Sequence, residues 1–136
     1  MFLLDTVVLS ELRKADRNTQ VEQWIREHAD DAMFISALTV GEIRRGITLQ
    51  QGKDPAFASR LTSWLDSLLI YYGKKRILPV TTEVALAWGD LSAKLGNASA
   101  DLLIAATAQV HNQTVVTRNT RHFMGSGVPV CNPWGE

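Results

Sequence analysis

ADLLIAATAQVHNQTVVTRN, residues 100–119, joins two patterns that decide the fold. From Ala100 to His111 the chain is apolar nearly all round: Leu102, Leu103, Ile104, Ala105, Ala106, Ala108 and Val110. A helix without a wide polar face belongs in the interior. Ser99 stands where it would cap that helix. Thr114–Thr117 then reads as a strand. A buried helix that feeds directly into a strand must begin at the strand's carboxyl edge. It therefore carries its first-turn acid, Asp101, to that edge.

Outward from this segment, short strands alternate with helices. Phe2–Leu4 reads as a buried strand and Val7–Arg13 as a short helix. Thr19–Glu27 is a second helix, with Val21, Trp24 and Ile25 on one face. Met33–Ser36 is the next strand. Val40, Ile43 and Ile47 recur at helical spacing up to Gln50. Gly52, Asp54 and Pro55 break the chain, and Pro55 suits the first turn of a helix. That helix carries a wide apolar stripe of Phe57, Leu61, Trp64, Leu65, Leu68 and Leu69. Gly73-Lys74-Lys75-Arg76 reads as a solvated loop before strand Ile77–Val80. Thr81 caps a helix bearing Val84, Leu86, Ala87, Trp88 and Leu91, which Gly96-Asn97 stops. Val128–Cys131 is a last short strand. The pattern implies an α/β domain with a mainly parallel sheet, right-handed crossovers and helices on both faces. The expected architecture is three-layer α/β/α, in one domain over residues 1–136.

Composition narrows the function classes. The chain has 136 residues, enough for one domain with a real core. Its 14 Lys and Arg balance 14 Asp and Glu, which argues against a generally basic nucleic-acid coat protein but allows a local basic rim. No apolar run is long enough to span a bilayer, and the N-terminus lacks the basic region of a signal peptide. Cys131 is the single cysteine, so an internal disulfide and a multi-thiolate zinc site are both excluded. A reducing cytoplasm fits.

In a parallel sheet, ligands bind beyond the carboxyl ends of the strands. Asp5 directly follows the first strand. Glu42 lies in the first turn of the helix after Met33–Ser36. Asp101 opens the buried helix, and Asn119 sits just past Thr114–Thr117. Each has a local explanation as well. Thr39-x-x-Glu42 fits a capping box, Asp101 suits the helix dipole, and Asp5 can cap Val7–Arg13. Capping does not explain why all three acids share one edge. Three carboxylates in one cleft repel unless a cation joins them. Oxygen ligands without a His–Cys cluster suit Mg²⁺ or Mn²⁺. Phosphodiester hydrolysis is the reaction such a site supports best. Arg44, Arg45, Arg118 and Arg121 stand close by in sequence. Arg118, Arg121 and Arg45 are candidates for phosphate contact, although Arg45 also has the spacing to pair with Glu42. His122 is a possible general base with no partner visible in the sequence.

The ordered set FLLDT (2–6), ISALTVGEIRRGI (35–47), ASADLLIAATA (98–108), VVTRNTRHF (115–123) and NPW (132–134) resembles PIN-domain ribonucleases. It is most similar to VapC-type toxins of bacterial toxin–antitoxin pairs, including the FitB-like branch. The resemblance spans essentially the whole chain. It implies a three-layer α/β/α PIN-like domain and a Mg²⁺- or Mn²⁺-dependent endoribonuclease. The substrate would be a structured RNA of the tRNA or rRNA class, with translation inhibited as a result. Asp5, Glu42 and Asp101 match the family's core acids, and Asp5 and Asp101 would be the main metal ligands. The resemblance further implies a homodimer, a VapB-like antitoxin that places a peptide, often with an arginine, in the acidic cleft, and higher hetero-oligomers with it.

The chain departs from the family's pattern at two places. Val7 stands where an Asn commonly follows Asp-Thr, so no amide there can orient the acids. Asn119 and His122 occupy positions where a fourth acid is common, so metal binding should be weaker than in a four-acid site. These departures keep an alternative open, a catalytically weak module that binds RNA or antitoxin without efficient cleavage. A phosphoacceptor receiver domain fails, because ILPV runs into Val80 and Thr81 and VVT into Arg118. A haloacid-dehalogenase-like phosphatase would need D-x-D where this chain has Asp5-Thr6-Val7.

Overall fold

A computed structural model describes residues 1–136. The element order is β1 (Phe2–Leu4), α1 (Thr6–Arg13), α2 (Thr19–Glu27), β2 (Met33–Ser36), α3 (Ala37–Gln51), α4 (Pro55–Arg76), β3 (Ile77–Leu78), α5 (Thr82–Leu95), α6 (Ala100–His111), β4 (Thr114–Val116) and β5 (Val130–Cys131). Short 3₁₀ turns occupy Asp30–Ala32 and Thr120–Phe123. The strands form one sheet in the order β3-β2-β1-β4-β5, and every pairing is parallel. The expected α/β/α layering is present.

Because strand side chains alternate faces, neighbouring residues of β1 and β4 serve different cores. Leu4 and Val116 join Val8, Ile35, Ile47, Leu65 and Trp134 on one face. Leu3 and Val115 join Val84, Ile104, Ala105, Ala108 and Phe123 on the other. The register aligns Leu3 with Val115 and Leu4 with Val116, so each layer is continuous across the two central strands. Helix α6 is buried along Leu102 and Ile104–Ala108, as its composition requires. Trp24, Trp64 and Trp88 pack against the two cores, and Trp134 is buried.

Helix boundaries follow local chemistry. The Thr81 hydroxyl accepts from Val84 N–H at the start of α5, and Gly96 ends that helix in the left-handed region at φ 72°. Strand β3 stops at Leu78, before Pro79, which has no N–H for the ladder. The expected loop over Gly73–Arg76 is instead the last turn of α4, bent at Gly73 where φ is 62° and ψ −173°. Arg76 is correspondingly not a solvated cation. Its guanidinium donates to the carbonyls of Asp30 at 2.7 Å and Tyr71 at 2.8 Å. It also lies 4.8 Å and 4.9 Å from the ring centres of Tyr71 and Tyr72. Those contacts hold the turn against the chain entering β2 and leave only Lys74 and Lys75 to solvent.

A candidate active site at the carboxyl edge of the sheet

Leu4 ends β1 and Asp5 continues its ladder for one bond, Asp5 N–H to Val116 C=O at 3.0 Å. The side chain turns inward and is 6 % exposed. Its two oxygens are held separately. Oδ1 accepts from Thr6 N–H at 2.9 Å, which makes Asp5 the N-cap of α1. Oδ2 accepts from the Thr117 hydroxyl at 2.8 Å. Thr117 Oγ1 accepts in turn from Asn119 N–H at 3.0 Å. Burial pushes the Asp5 carboxyl above its ordinary pKa. The Thr117 and Thr6 hydrogen bonds pull it down, nearby Asp101 pushes it up, and His122 pulls it down.

Glu42 is not bound into a capping box. Ser36 caps α3, accepting from Leu38 N–H at 3.0 Å, and the Thr39 hydroxyl is fully buried with no partner. Glu42 Oε1 instead accepts from the Thr6 hydroxyl at 3.0 Å. Its pKa is raised, first by burial of the carboxyl and then by the charges of Asp5 and Asp101, against the lowering effect of Thr6. Thr6 therefore links two acids, its N–H on Asp5 and its hydroxyl on Glu42. Neither Glu42 nor Arg45 belongs to an ion pair.

Asp101 sits in the first turn of α6, where Ser99 makes no side-chain cap bond. Its Oδ2 lies 2.7 Å from His122 Nδ1. His122 thus has the partner that its position in sequence did not reveal. Arg121 and His122 line, with Asp101, Asn97 and Ser99, a cleft of about 450 Å³. Arg118 points elsewhere: it pairs with Glu136 at 2.6 Å and lies 5.3 Å from the Trp134 ring centre. Asn119 is exposed and stands at the N-cap of the turn Thr120–Phe123 without a side-chain cap bond.

The acids influence one another electrostatically, but no three His, Cys, Asp or Glu side chains are grouped closely enough to hold an ion as they stand. The donor chemistry nevertheless fits a hard divalent cation. Asp5, Glu42 and Asp101 offer only oxygen, and Asp5 and Glu42 resist ionisation, first because they are buried and then because other acids are near. Sequence reasoning missed Thr6 and Thr117 as site residues. Their signal was positional: each follows or ends a central strand next to an acid-bearing edge. The family resemblance would place an orienting amide at position 7, where this chain has valine. Val7 packs against the core instead, and the two threonines do the holding.

A family model for the PIN domain matches residues 2–124. The chain is 35% identical to VapC ribonuclease Y4jK of Sinorhizobium fredii over 141 residues, covering 98% of each chain. It is 35% identical to toxin FitB of Neisseria gonorrhoeae over 142 residues, covering 100% of each. The crystal structure of FitAcB from Neisseria gonorrhoeae superposes over 100% of both chains with a TM-score of 0.86 and 34% identity.

Proposed function

The chain belongs to the PIN-domain family of VapC- and FitB-type ribonuclease toxins, and on that premise we propose that it is a Mg²⁺- or Mn²⁺-dependent endoribonuclease acting on structured RNA of the tRNA or rRNA class. One observation carries the reading: a buried Asp5 whose ionisation is opposed by burial and by Asp101, with Glu42 opposed in turn by both. A polar cluster that works against its own charge is poised for a cation.

Asp5 and Asp101 would be the metal ligands, with Glu42 beside them or acting through water. The ion, when bound, would activate a water and offset charge on the scissile phosphate. The protein's own part is positional. Thr6 and Thr117 keep both Asp5 oxygens fixed, so the carboxylate meets its ligand without rearranging. His122 holds Asp101 from the outer side. Asn119 contributes a neutral oxygen where a fourth charge would otherwise stand. Arg121 and Arg45 would meet RNA phosphates, and Arg118 would join them only by leaving Glu136.

The same reading makes the protein a cytoplasmic homodimer that inhibits translation and is neutralised by a VapB-like antitoxin in a larger hetero-oligomer. A guanidinium from such a partner would pair with Asp5 and Asp101 and block the ion. No helix is long and apolar enough to cross a membrane.

Total RNA incubated with the protein and Mg²⁺ or Mn²⁺, beside Asp5→Asn and Asp101→Asn, tests the proposal. Expected is cleavage by the wild type that chelator stops and that either substitution lowers at least about 100-fold, since even residues that only orient ligands matter 10- to 100-fold. Equal cleavage by all three proteins would overturn the site. RNA binding without cleavage would favour the non-catalytic module that Asn119 keeps in view.

A further inference from the structure

The cleft of about 450 Å³ beside Asp101 is far larger than an ion needs, and part of its lining is apolar: Leu95, Leu102 and Met124. Leu102 is buried, whereas Met124 is 72 % exposed. Its neighbours hold it out. Phe123, the residue before it, is anchored in the core at 2 % exposure, and the Ser126 hydroxyl donates to Phe123 C=O at 2.6 Å. Gly125, the residue after it, has φ 83° and lies so close to α5 that an added Cβ would stand 3.0 Å from Leu95 Cδ2. A chain pinned on both sides keeps the Met124 thioether on the cleft instead of letting it turn inward.

Two polar side chains share the lining with hydrogen-bonding capacity to spare. Asn97 Oδ1 accepts from Ser99 N–H at 3.2 Å, which fixes the amide's orientation and leaves its NH₂ to donate. Ser99 stands at the N-cap of α6, yet its hydroxyl makes no cap bond. Asp101 and its partner His122 form the side of the cleft that joins the acidic edge, and Arg121 adds a cation. A polarisable thioether suits the face of an aromatic ring. An amide and a hydroxyl beside it suit the ring's hydrogen-bonding edge, and a guanidinium suits a phosphate.

We propose that this cleft is a nucleobase subsite, which takes one unpaired base of the RNA from beside the scissile phosphate. The base would lie against Met124, with Leu95 and Leu102 beneath it. Its edge would meet Asn97 and Ser99, and its phosphate Arg121. Because the Asn97 oxygen is already spent on Ser99 N–H, the amide can only donate. The subsite therefore favours bases that present an exocyclic carbonyl, guanine and uracil, over adenine. The inference rests on the ribonuclease reading of Asp5 and Asp101, since Asp101 is the residue that ties the cleft to the reacting bond. It adds what that reading lacks, a selection for the nucleotide at the cut.

Methionine-methyl NMR of the full chain in chelator tests it, with GMP, UMP and AMP as probes and ribose 5-phosphate as the probe without a base. The chain has three methionines. Met33 is buried in the opposite core and Met1 precedes β1 at the other edge of the sheet, so only the Met124 methyl should move. Expected is a saturable upfield shift of that methyl, from the ring current of a stacked base, with Kd below about 10 mM for GMP and UMP. AMP should bind more weakly, and ribose 5-phosphate should leave the methyl in place. Met124→Ala, followed at the backbone amides of Asn97 and Ser99, should weaken GMP and UMP roughly threefold or more. Asn97→Asp keeps an acceptor for Ser99 N–H but cannot donate, so the preference should invert toward AMP. That ratio is insensitive to the added charge, which all three nucleotides feel alike. No saturation of the Met124 shift below about 10 mM, an equal shift with ribose 5-phosphate, or an unchanged preference in Asn97→Asp would each overturn the subsite. With chelator present, none of these readings depends on cleavage. RNA cleavage without the Met124 shift would sink the subsite alone, and the shift without cleavage would sink the ribonuclease reading and leave a base-binding cleft.

Discussion

Thr117 is the residue on which the acidic site turns. Its hydroxyl donates to Asp5 and accepts from Asn119, and its bond is the largest influence holding the Asp5 pKa down. Thr117→Val removes that bond at nearly constant volume. The Asp5 carboxyl should then protonate at higher pH. Activity that needs the carboxylate should fall about 10- to 100-fold, with the acid limb of the pH–rate profile moved to higher pH. Thr117→Ser should restore both. Asn119→Asp adds a charge beside the same site, and Mn²⁺ titration should show tighter binding than in the wild type. Unchanged affinity would count against Asn119 as the missing fourth acid. Linkage gives a further sign. Asp5 and Glu42 have folded pKa values above their unfolded ones. Their contribution to stability is therefore full below the ordinary carboxylate range and is lost as pH rises through the raised values. Asp5→Asn should lose less melting temperature over that rise than the wild type in chelator, and added divalent ion should stabilise only the wild type. At this scale the sequence was legible where charge was concerned. Asp5, Glu42 and Asp101 were found because ionisable residues at strand ends are few. Thr6 and Thr117 were not, because a hydroxyl that bridges acids looks like any other β-branched residue until its partners are known. Arg118 was read by proximity alone, and its partner Glu136 lies too far along the chain for spacing to reveal.

Elements show the same division between local and distant causes. Helices α2 and α6 and strand β2 were read at their full observed extents, since caps and apolar periodicity are written locally. The end of α4 was not. Gly73 and three basic residues have the composition of a loop, but Arg76 finds the carbonyls of Asp30 and Tyr71 and two tyrosine rings, and these tertiary contacts hold the turn. Gly73→Ala tests the bend. No atom stands within 4 Å of an added Cβ, so the cost is conformational. At φ 62° and ψ −173° it should be about 1–3 kcal/mol in urea denaturation. Thr81→Ala removes the cap of α5 and should cost about 1 kcal/mol in the same measurement. The capping-box alternative at Thr39 is absent for a related reason. Ser36 stands one residue before α3 and captures Leu38 N–H first, which frees Glu42 to turn toward Thr6.

At the scale of the molecule, the sheet separates two cores and joins them through the backbone of β1 and β4. Leu3 and Leu4 are adjacent in sequence and fully buried on opposite faces. Leu3→Ala and Leu4→Ala should each cost about 2–5 kcal/mol. Both should lower one shared unfolding transition, whichever core is cut, when near-UV and far-UV signals are followed together. The parallel order was foreseeable because crossovers of this length demand it. Which strands lie at the centre was not, since strand order depends on packing between distant segments. That order puts the first and fourth strands side by side. The Asp5 carboxylate receives its second hydrogen bond from a residue 112 positions later. A ribosome must therefore make most of the chain before that carboxylate is held at both oxygens. A nascent chain thus carries its Asp5 carboxylate held at one oxygen, by Thr6, for nearly all of its synthesis, and gains the second hold when β4 docks beside β1.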